Sequence, residues 1–256
     1  MVVASLALGW RLVIFLAAGV GAGVSNGIAG GGTFILFPTM LALGVAPLQA
    51  NVSSTVGVLP SFFGALRGFR DQIGAHRRLI RSLAPWCTIG TLLGTALLLL
   101  GSPRTFQTIV PWLVGVATAL FAVAPLITKQ LAHVEHSHPA RRGALFVGAF
   151  CTSVYGGYFG AGLGILLLAL MAVTLPLDLL ELQGLRSVLS LLISALAALV
   201  FIARGHLALD AVAMMLVGTF IGGTLGVALT KRLPTSAVRA LIVTIGIATT
   251  IWLALN

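Results

Sequence analysis

Charge is what this 256-residue chain has least of. Asp, Glu, Lys and Arg make up 8% of it, against roughly 25% in soluble domains. Acid is scarcer still, with 5 Asp and Glu against 15 Lys and Arg. So few charges cannot clothe a water-facing surface, and a hydrophobic content of 59% requires lipid to cover much of the chain. Cysteine is limited to Cys87 and Cys151, each inside an apolar run. That excludes a disulfide framework or a cysteine metal cluster, and both read as small core residues. The first ten residues carry no basic stretch ahead of the apolar run, and no cleavage site follows. They read as the start of a first helix, not a removed signal peptide. The net charge of +10 does not point to nucleic acid, because the basic residues fall in short gaps between apolar runs.

What is present is a series of ten apolar segments, at 5–28, 32–46, 49–69, 79–101, 106–128, 143–159, 161–176, 181–203, 207–230 and 236–255. A helix needs about 20 apolar residues to cross a bilayer core. The second and seventh segments are short and follow glycine-rich stretches, which predicts half-helices or re-entrant pieces. One sizeable polar stretch, Lys129 to Arg142, lies near the middle of the chain. It divides a first transmembrane repeat at 1–128 from a second at 143–256, with 129–142 as a cytoplasmic linker. Within it, His133, Glu135, His136 and His138 read as a solvated linker rather than a metal site.

The halves resemble each other. Gly27-Ile-Ala-Gly30-Gly-Gly32 returns as Gly157-Tyr-Phe-Gly160-Ala-Gly162. Ile89-Gly-Thr-Leu-Leu-Gly94 returns as Ile221-Gly-Gly-Thr-Leu-Gly226, and Gly115-Val-Ala-Thr as Gly246-Ile-Ala-Thr. The offsets are 130, 132 and 131 residues. Five segments per half is odd, so the second half enters the membrane inverted. Charge agrees. One side receives Arg67, Arg70, Arg77, Arg78, Arg81, Lys129, Arg141, Arg142, Lys231, Arg232 and Arg239, the other only Arg11, Arg104 and Arg204. The richer side is expected to be cytoplasmic, in a bacterial inner membrane. The expected fold is therefore an all-α polytopic membrane protein of two inverted repeats, with short or broken helices after the glycine motifs.

Four stretches carry the candidate site. Asn26, Gly27, Gly30, Gly31 and Gly32 weaken a helix and free backbone N–H groups that an anion can satisfy, although glycines also allow close helix packing. Tyr155, Tyr158, Gly160 and Gly162 form the partner stretch and hold both tyrosines of the chain. Their hydroxyls suit an oxyanion or an interfacial anchor. Asn51, Ser53 and Ser54 open the third segment, where helix-start amides add donors. Gln183, Arg186 and Ser187 occupy the matching place in the second half. Arg186 lies inside an apolar segment and is assigned to neither side, which marks either an anion site, a snorkelling side chain or a partner for Asp178 or Glu181. Asp178 and Glu181 are also the two acids placed to bind a coupling proton. No Gly-Lys-Ser/Thr follows the glycines, so this is not a nucleotide loop. No metal or cofactor is implied.

At these motifs the sequence resembles the sulfite exporter TauE/SafE family. The likeness rests on Gly27 to Gly32, Pro38, Gly44, Ala50-Asn-Val-Ser-Ser54, Gly157 to Gly162 and Leu182-Gln-Gly-Leu-Arg186, and extends over about residues 10 to 255. It implies transport of sulfur oxyanions or organosulfonates, such as sulfite, thiosulfate or sulfoacetate, usually outward. The glycine motif then maps to Gly27, Gly30, Gly31 and Gly32, and the polar helix starts to Ser53, Ser54 and Arg186. Two departures bear on the substrate. Ala161 stands for the middle glycine of the second motif, and Gln183 and Arg186 stand where Asn and Lys are usual. The expected function is secondary transport of a small sulfur-containing anion by alternating access, with no enzyme activity. Expected partners are that anion, membrane lipid and a coupling proton or sodium ion. The alternatives are an anion channel and, further off, an intramembrane enzyme acting on a lipid phosphate.

Overall fold

In hydrocarbon every backbone N–H and C=O must be satisfied within the chain, and apolar runs of this length do so as helices. The computed structural model describes residues 2–28, 30–131, 139–205, 207–229 and 235–255. The tract with His133, Glu135, His136 and His138 lies outside the described residues, as do Lys231 and Arg232.

The first half comprises α1 (Val2–Ile28), α2 (Thr33–Ala42), α3 (Pro47–Gly57), α4 (Ser61–Gly68), α5 (Arg70–Ala75), α6 (Arg77–Leu100) and α7 (Pro103–Leu131). The second comprises α8 (Pro139–Tyr158), α9 (Leu163–Thr174), α10 (Leu179–Arg204), α11 (Leu209–Leu229) and α12 (Thr235–Leu255). Gly9–Ile28, Arg77–Leu100, Pro103–Val123, Leu179–Arg204 and Leu209–Gly226 are long and apolar enough to cross a bilayer. Their outward faces keep large apolar side chains exposed, including Trp10, Trp112 and Leu100 at 70%, 76% and 82%. A surface of that kind belongs in lipid. The protein is an all-α polytopic membrane protein.

The short segments are half-length. At 1.5 Å per residue, α2 and α9 rise about 15 and 18 Å, roughly half a bilayer core.

Helices that correspond between the halves pack crosswise. Gly90 and Gly94 of α6 abut Phe150 and Val154 of α8, while Gly222 and Gly226 of α11 abut Val20 and Val24 of α1. Both pairs run parallel, and the second contact repeats the first at the sequence offset. Along α7 and α12 the order reverses: Gly115 faces Thr250, and Thr118 faces Gly246. Corresponding helices that pack antiparallel across a pseudo-two-fold axis are what an inverted repeat produces.

Two expectations need correction. The third segment is not one helix over 49–69. It breaks after Gly57, because Pro60 has no N–H to continue the ladder. The freed carbonyls find partners: Thr219 Oγ1 donates to Gly57 O at 2.7 Å, and Ser61 Oγ to Val58 O at 2.5 Å. Cys87 is a buried core residue as expected, but Cys151 is exposed, on the outward face of α8.

Candidate functional site

Each glycine motif ends a long helix by the same device. Gly30 has φ +80° and Gly160 has φ +76°, a left-handed conformation that L side chains resist. The Gly30 amide donates to Ser25 O and Asn26 O, both at 3.2 Å, and the Gly160 amide to Tyr155 O at 3.3 Å. These bonds close α1 and α8, and the chain restarts as α2 and α9. Much of each new first turn is bonded back onto the loop: Phe34 N donates to Gly31 O and Ile35 N to Gly32 O, both at 3.0 Å, while Leu163 N donates to Gly160 O at 3.2 Å and Ile165 N to Gly162 O at 3.0 Å.

The polar helix of each half reaches toward the break of the other. Asn51 Nδ2 donates to Tyr158 O at 2.9 Å, and Thr55 Oγ1 to Asn51 O at 3.0 Å. From the second half, Arg186 extends to the first break. It is only 3% exposed. Its Nη2 makes a long contact of 3.4 Å to Asn26 O. Its Nη1 lies between Gly30 and Gly164, where a methyl on Gly30 would overlap it. Its Nε and Nη1 have no hydrogen-bond partner.

Around it lie other buried polar atoms in the same condition. Gln183 Oε1 is one turn before Arg186, Ser190 Oγ one turn after it, and Ser25 Oγ beside Asn26, all unpaired. Five of the six such atoms among the described residues belong to these four side chains. Buried polar groups are normally hydrogen-bonded, so this concentration of unpaired ones makes Arg186 the centre of the candidate site.

The remaining expected site residues divide differently. Gly27 is buried in the last turn of α1. Gly31 packs against Phe121 and Ile242, Gly32 against Ala22 and Val58, and Gly162 against Phe34, so these three serve close packing. Asn26 Nδ2 donates to Ser61 Oγ at 2.7 Å, while its backbone carbonyl accepts from both Gly30 N and Arg186 Nη2. Tyr155 spends its hydroxyl on Ala161 O at 2.6 Å, which ties the second break together. Tyr158 is half-buried, with its ring 5.9 Å from that of Phe106. The hydroxyls of Ser53, Ser54 and Ser187 contact Ala208 N at 3.0 Å, Met40 Sδ at 3.5 Å and Gln183 O at 2.8 Å. Nor do Asn51, Ser53 and Ser54 stand at a helix start: α3 begins at Pro47, whose fixed φ suits a first helical position, so they lie in its interior.

Arg186 is not paired with Asp178 or Glu181. Those two form a capping box on α10, and Glu181 Oε1 is 2.8 Å from His76 Nε2. Asp71 and Asp210, the other described acids, also sit in first turns of helices, where the backbone dipole favours them.

Gly164, Ser25 and Ser190 were not expected at the site. Ser190 was within reach of sequence reasoning, since positions 183, 186 and 190 share one face of a helix. Replacing Gly30 with alanine is expected to displace the Arg186 guanidinium and strain the backbone by about 1–2 kcal/mol. Anion affinity measured by thermal shift should fall roughly tenfold or more, with helix content retained. Unaltered affinity would detach Gly30 from the Arg186 pocket.

Comparison with known proteins covers most of the chain. The family model described as Sulfite exporter TauE/SafE matches residues 15–253. A protein of Haemophilus influenzae (strain ATCC 51907 / DSM 11121 / KW20 / Rd) named "Probable membrane transporter protein" is 23% identical over 235 residues, 91% of this chain and 90% of that one. No solved structure matches it significantly. With the helices described above, these likenesses make the chain a multi-pass membrane transporter.

Proposed function

We propose, for a chain that belongs to the sulfite exporter TauE/SafE family, secondary transport of a small sulfur-containing anion by alternating access. Sulfite, thiosulfate and organosulfonates are the substrate class, and the direction is outward across a bacterial plasma membrane. One observation carries this reading: a buried guanidinium, wedged between the two glycine breaks, has N–H groups that nothing in the described fold satisfies. A charge in that position is costly and is retained where a ligand uses it.

In this scheme Arg186 offsets the substrate charge and donates to its oxygens. Gln183, Ser25 and Ser190 complete the polar lining. The crosswise packing supplies the motion. Each break touches elements of both halves, so rocking one half against the other opens the pocket to one side at a time.

The test is counterflow in proteoliposomes. Labelled sulfite trapped inside is expected to leave faster when unlabelled sulfite is added outside, because a carrier returns loaded faster than empty. Imposed pH or sodium gradients read out coupling in the same assay. Steady unitary currents in a planar bilayer, with no acceleration by external sulfite, would replace the carrier with the channel reading.

A further inference from the structure

We infer that the species held beside Arg186 carries a single negative charge, and that dianions of the same shape are rejected. The inference rests on the transport reading above and narrows its substrate class to hydrogen sulfite and singly charged organosulfonates, leaving out thiosulfate and sulfoacetate, which are dianions near neutral pH.

A membrane interior tolerates little charge imbalance. Arg186 is the one charged side chain that is buried among the described residues. The nearby acids are engaged at helix starts: Asp178 and Glu181 in their capping box, and Asp71 3.5 Å from Arg70. The described fold therefore leaves one buried cation uncompensated. A monoanion turns it into a neutral, hydrogen-bonded pair, the form in which buried charge is least costly. A dianion would exchange one unbalanced positive charge for one unbalanced negative charge and lose most of that gain.

The repeat provides no second cation at the matching position. At the repeat offset of 132 residues, Ser54 corresponds to Arg186. It is neutral and its hydroxyl contacts Met40 Sδ. At the offset of 130 residues, Phe34 corresponds to Gly164. Phe34 is buried, closes against Gly162 and stacks edge-on to Phe121 at 5.8 Å between ring centroids. The first half thus offers neither charge nor space at the matching point, so the site takes one cation and one anion.

The other titratable groups on elements packed against α10 do not alter the count. Glu181 faces His76 at 2.8 Å. Tyr155 is tied to Ala161 and Cys87 is a buried thiol. Arg67 on α4 and Arg77, Arg78 and Arg81 on α6 lie outside the core.

The experiment uses the purified full chain in detergent, with thermal shift titrations of methanesulfonate, sulfate and sulfite from about pH 6 to about pH 8.5. Methanesulfonate and sulfate are similar in size and tetrahedral shape, but one is a fixed monoanion and the other a dianion over this range. Sulfite passes from the hydrogen sulfite monoanion to the dianion within it. Methanesulfonate affinity is expected to stay flat, which also controls for any effect of pH on the protein itself. Sulfate should bind at least roughly tenfold more weakly, and sulfite should weaken by a similar factor as it loses its proton. Sulfate binding as tightly as methanesulfonate, or sulfite tightening with pH, would overturn the charge rule. Arg186→Met, checked for monodispersity and helix content, separates the two levels. If wild type binds both probes equally and the variant loses both, only the charge rule fails. If wild type binds none of the three, or the folded variant keeps them all, the site reading itself fails.

Discussion

Replacing Arg186 with methionine is expected to abolish anion-dependent stabilisation and leave a protein that melts no lower than wild type, or higher. Two opposing effects produce this result. In the loaded state Arg186 supplies charged hydrogen bonds of about 1.5–3 kcal/mol each, so their loss weakens binding roughly 100-fold. In the empty state the same side chain is a desolvated cation whose Nε and Nη1 find no partner. Removing such a charge in favour of an apolar side chain of similar length relieves a penalty of several kcal/mol. An ordinary structural arginine behaves oppositely, because its removal leaves acceptors orphaned and lowers the melting temperature. Arg186→Lys is expected to fall between. It keeps the charge but loses the planar fork. Thermal melts with and without sulfite or methanesulfonate measure both effects. Wild-type affinity in a folded Arg186→Met protein would take Arg186 out of the site.

Gly94→Val and Gly222→Val are each expected to cost about 3 kcal/mol or more and to sharply lower the yield of folded protein. A Cβ at Gly94 falls well inside van der Waals contact distance of Val154 O, and one at Gly222 well inside that of Val20 O. Both obstacles are backbone carbonyls within helices, so no side-chain rotamer relieves the clash and the helices must separate. These interfaces join the halves, α6 to α8 and α1 to α11, so separating them loosens the whole molecule. Gly9→Ala is the control. Nothing lies within 4 Å of a Cβ there, and a helix gains up to about 1 kcal/mol from the exchange. Size-exclusion profiles and melting temperatures of the three variants give the comparison. Wild-type melting for Gly94→Val would mean that α6 and α8 are not in close contact in the membrane.

Much of this arrangement was legible before any coordinates. Apolar run length marked the membrane helices, and the near-constant offset of three glycine motifs marked the repeat. The shortness of the segments after Gly32 and Gly162 announced α2 and α9. Arg186 stood out because a charge inside an apolar run is expensive wherever it lies. Roles within the glycine motifs were not legible. Gly30 and Gly32 look alike in a string of letters, yet one adopts φ +80° beside a guanidinium and the other φ −56° in close packing. The hydroxyls of Ser53, Ser54, Ser187 and Tyr155 looked like ligands because polar groups in a membrane suggest function. The fold uses them instead to satisfy its own backbone and neighbours. The break at Pro60 was missed because an apolar run hides one proline, and the acceptor for Thr219 lies on a distant segment.

Local chemistry along the chain was enough to determine that it lives in lipid, that it repeats, and that one arginine is out of place, since burial cost, helix length and periodicity act on near neighbours. Only the tertiary structure decided that α1 pairs with α11 and α6 with α8, and that Arg186 reaches the break of the opposite half. Its neutral counterpart Ser54 and the bulky Phe34 reduce the two-fold plan to one charged pocket. Those outcomes depend on which backbones can approach closely, and that is settled by contacts between residues more than a hundred positions apart.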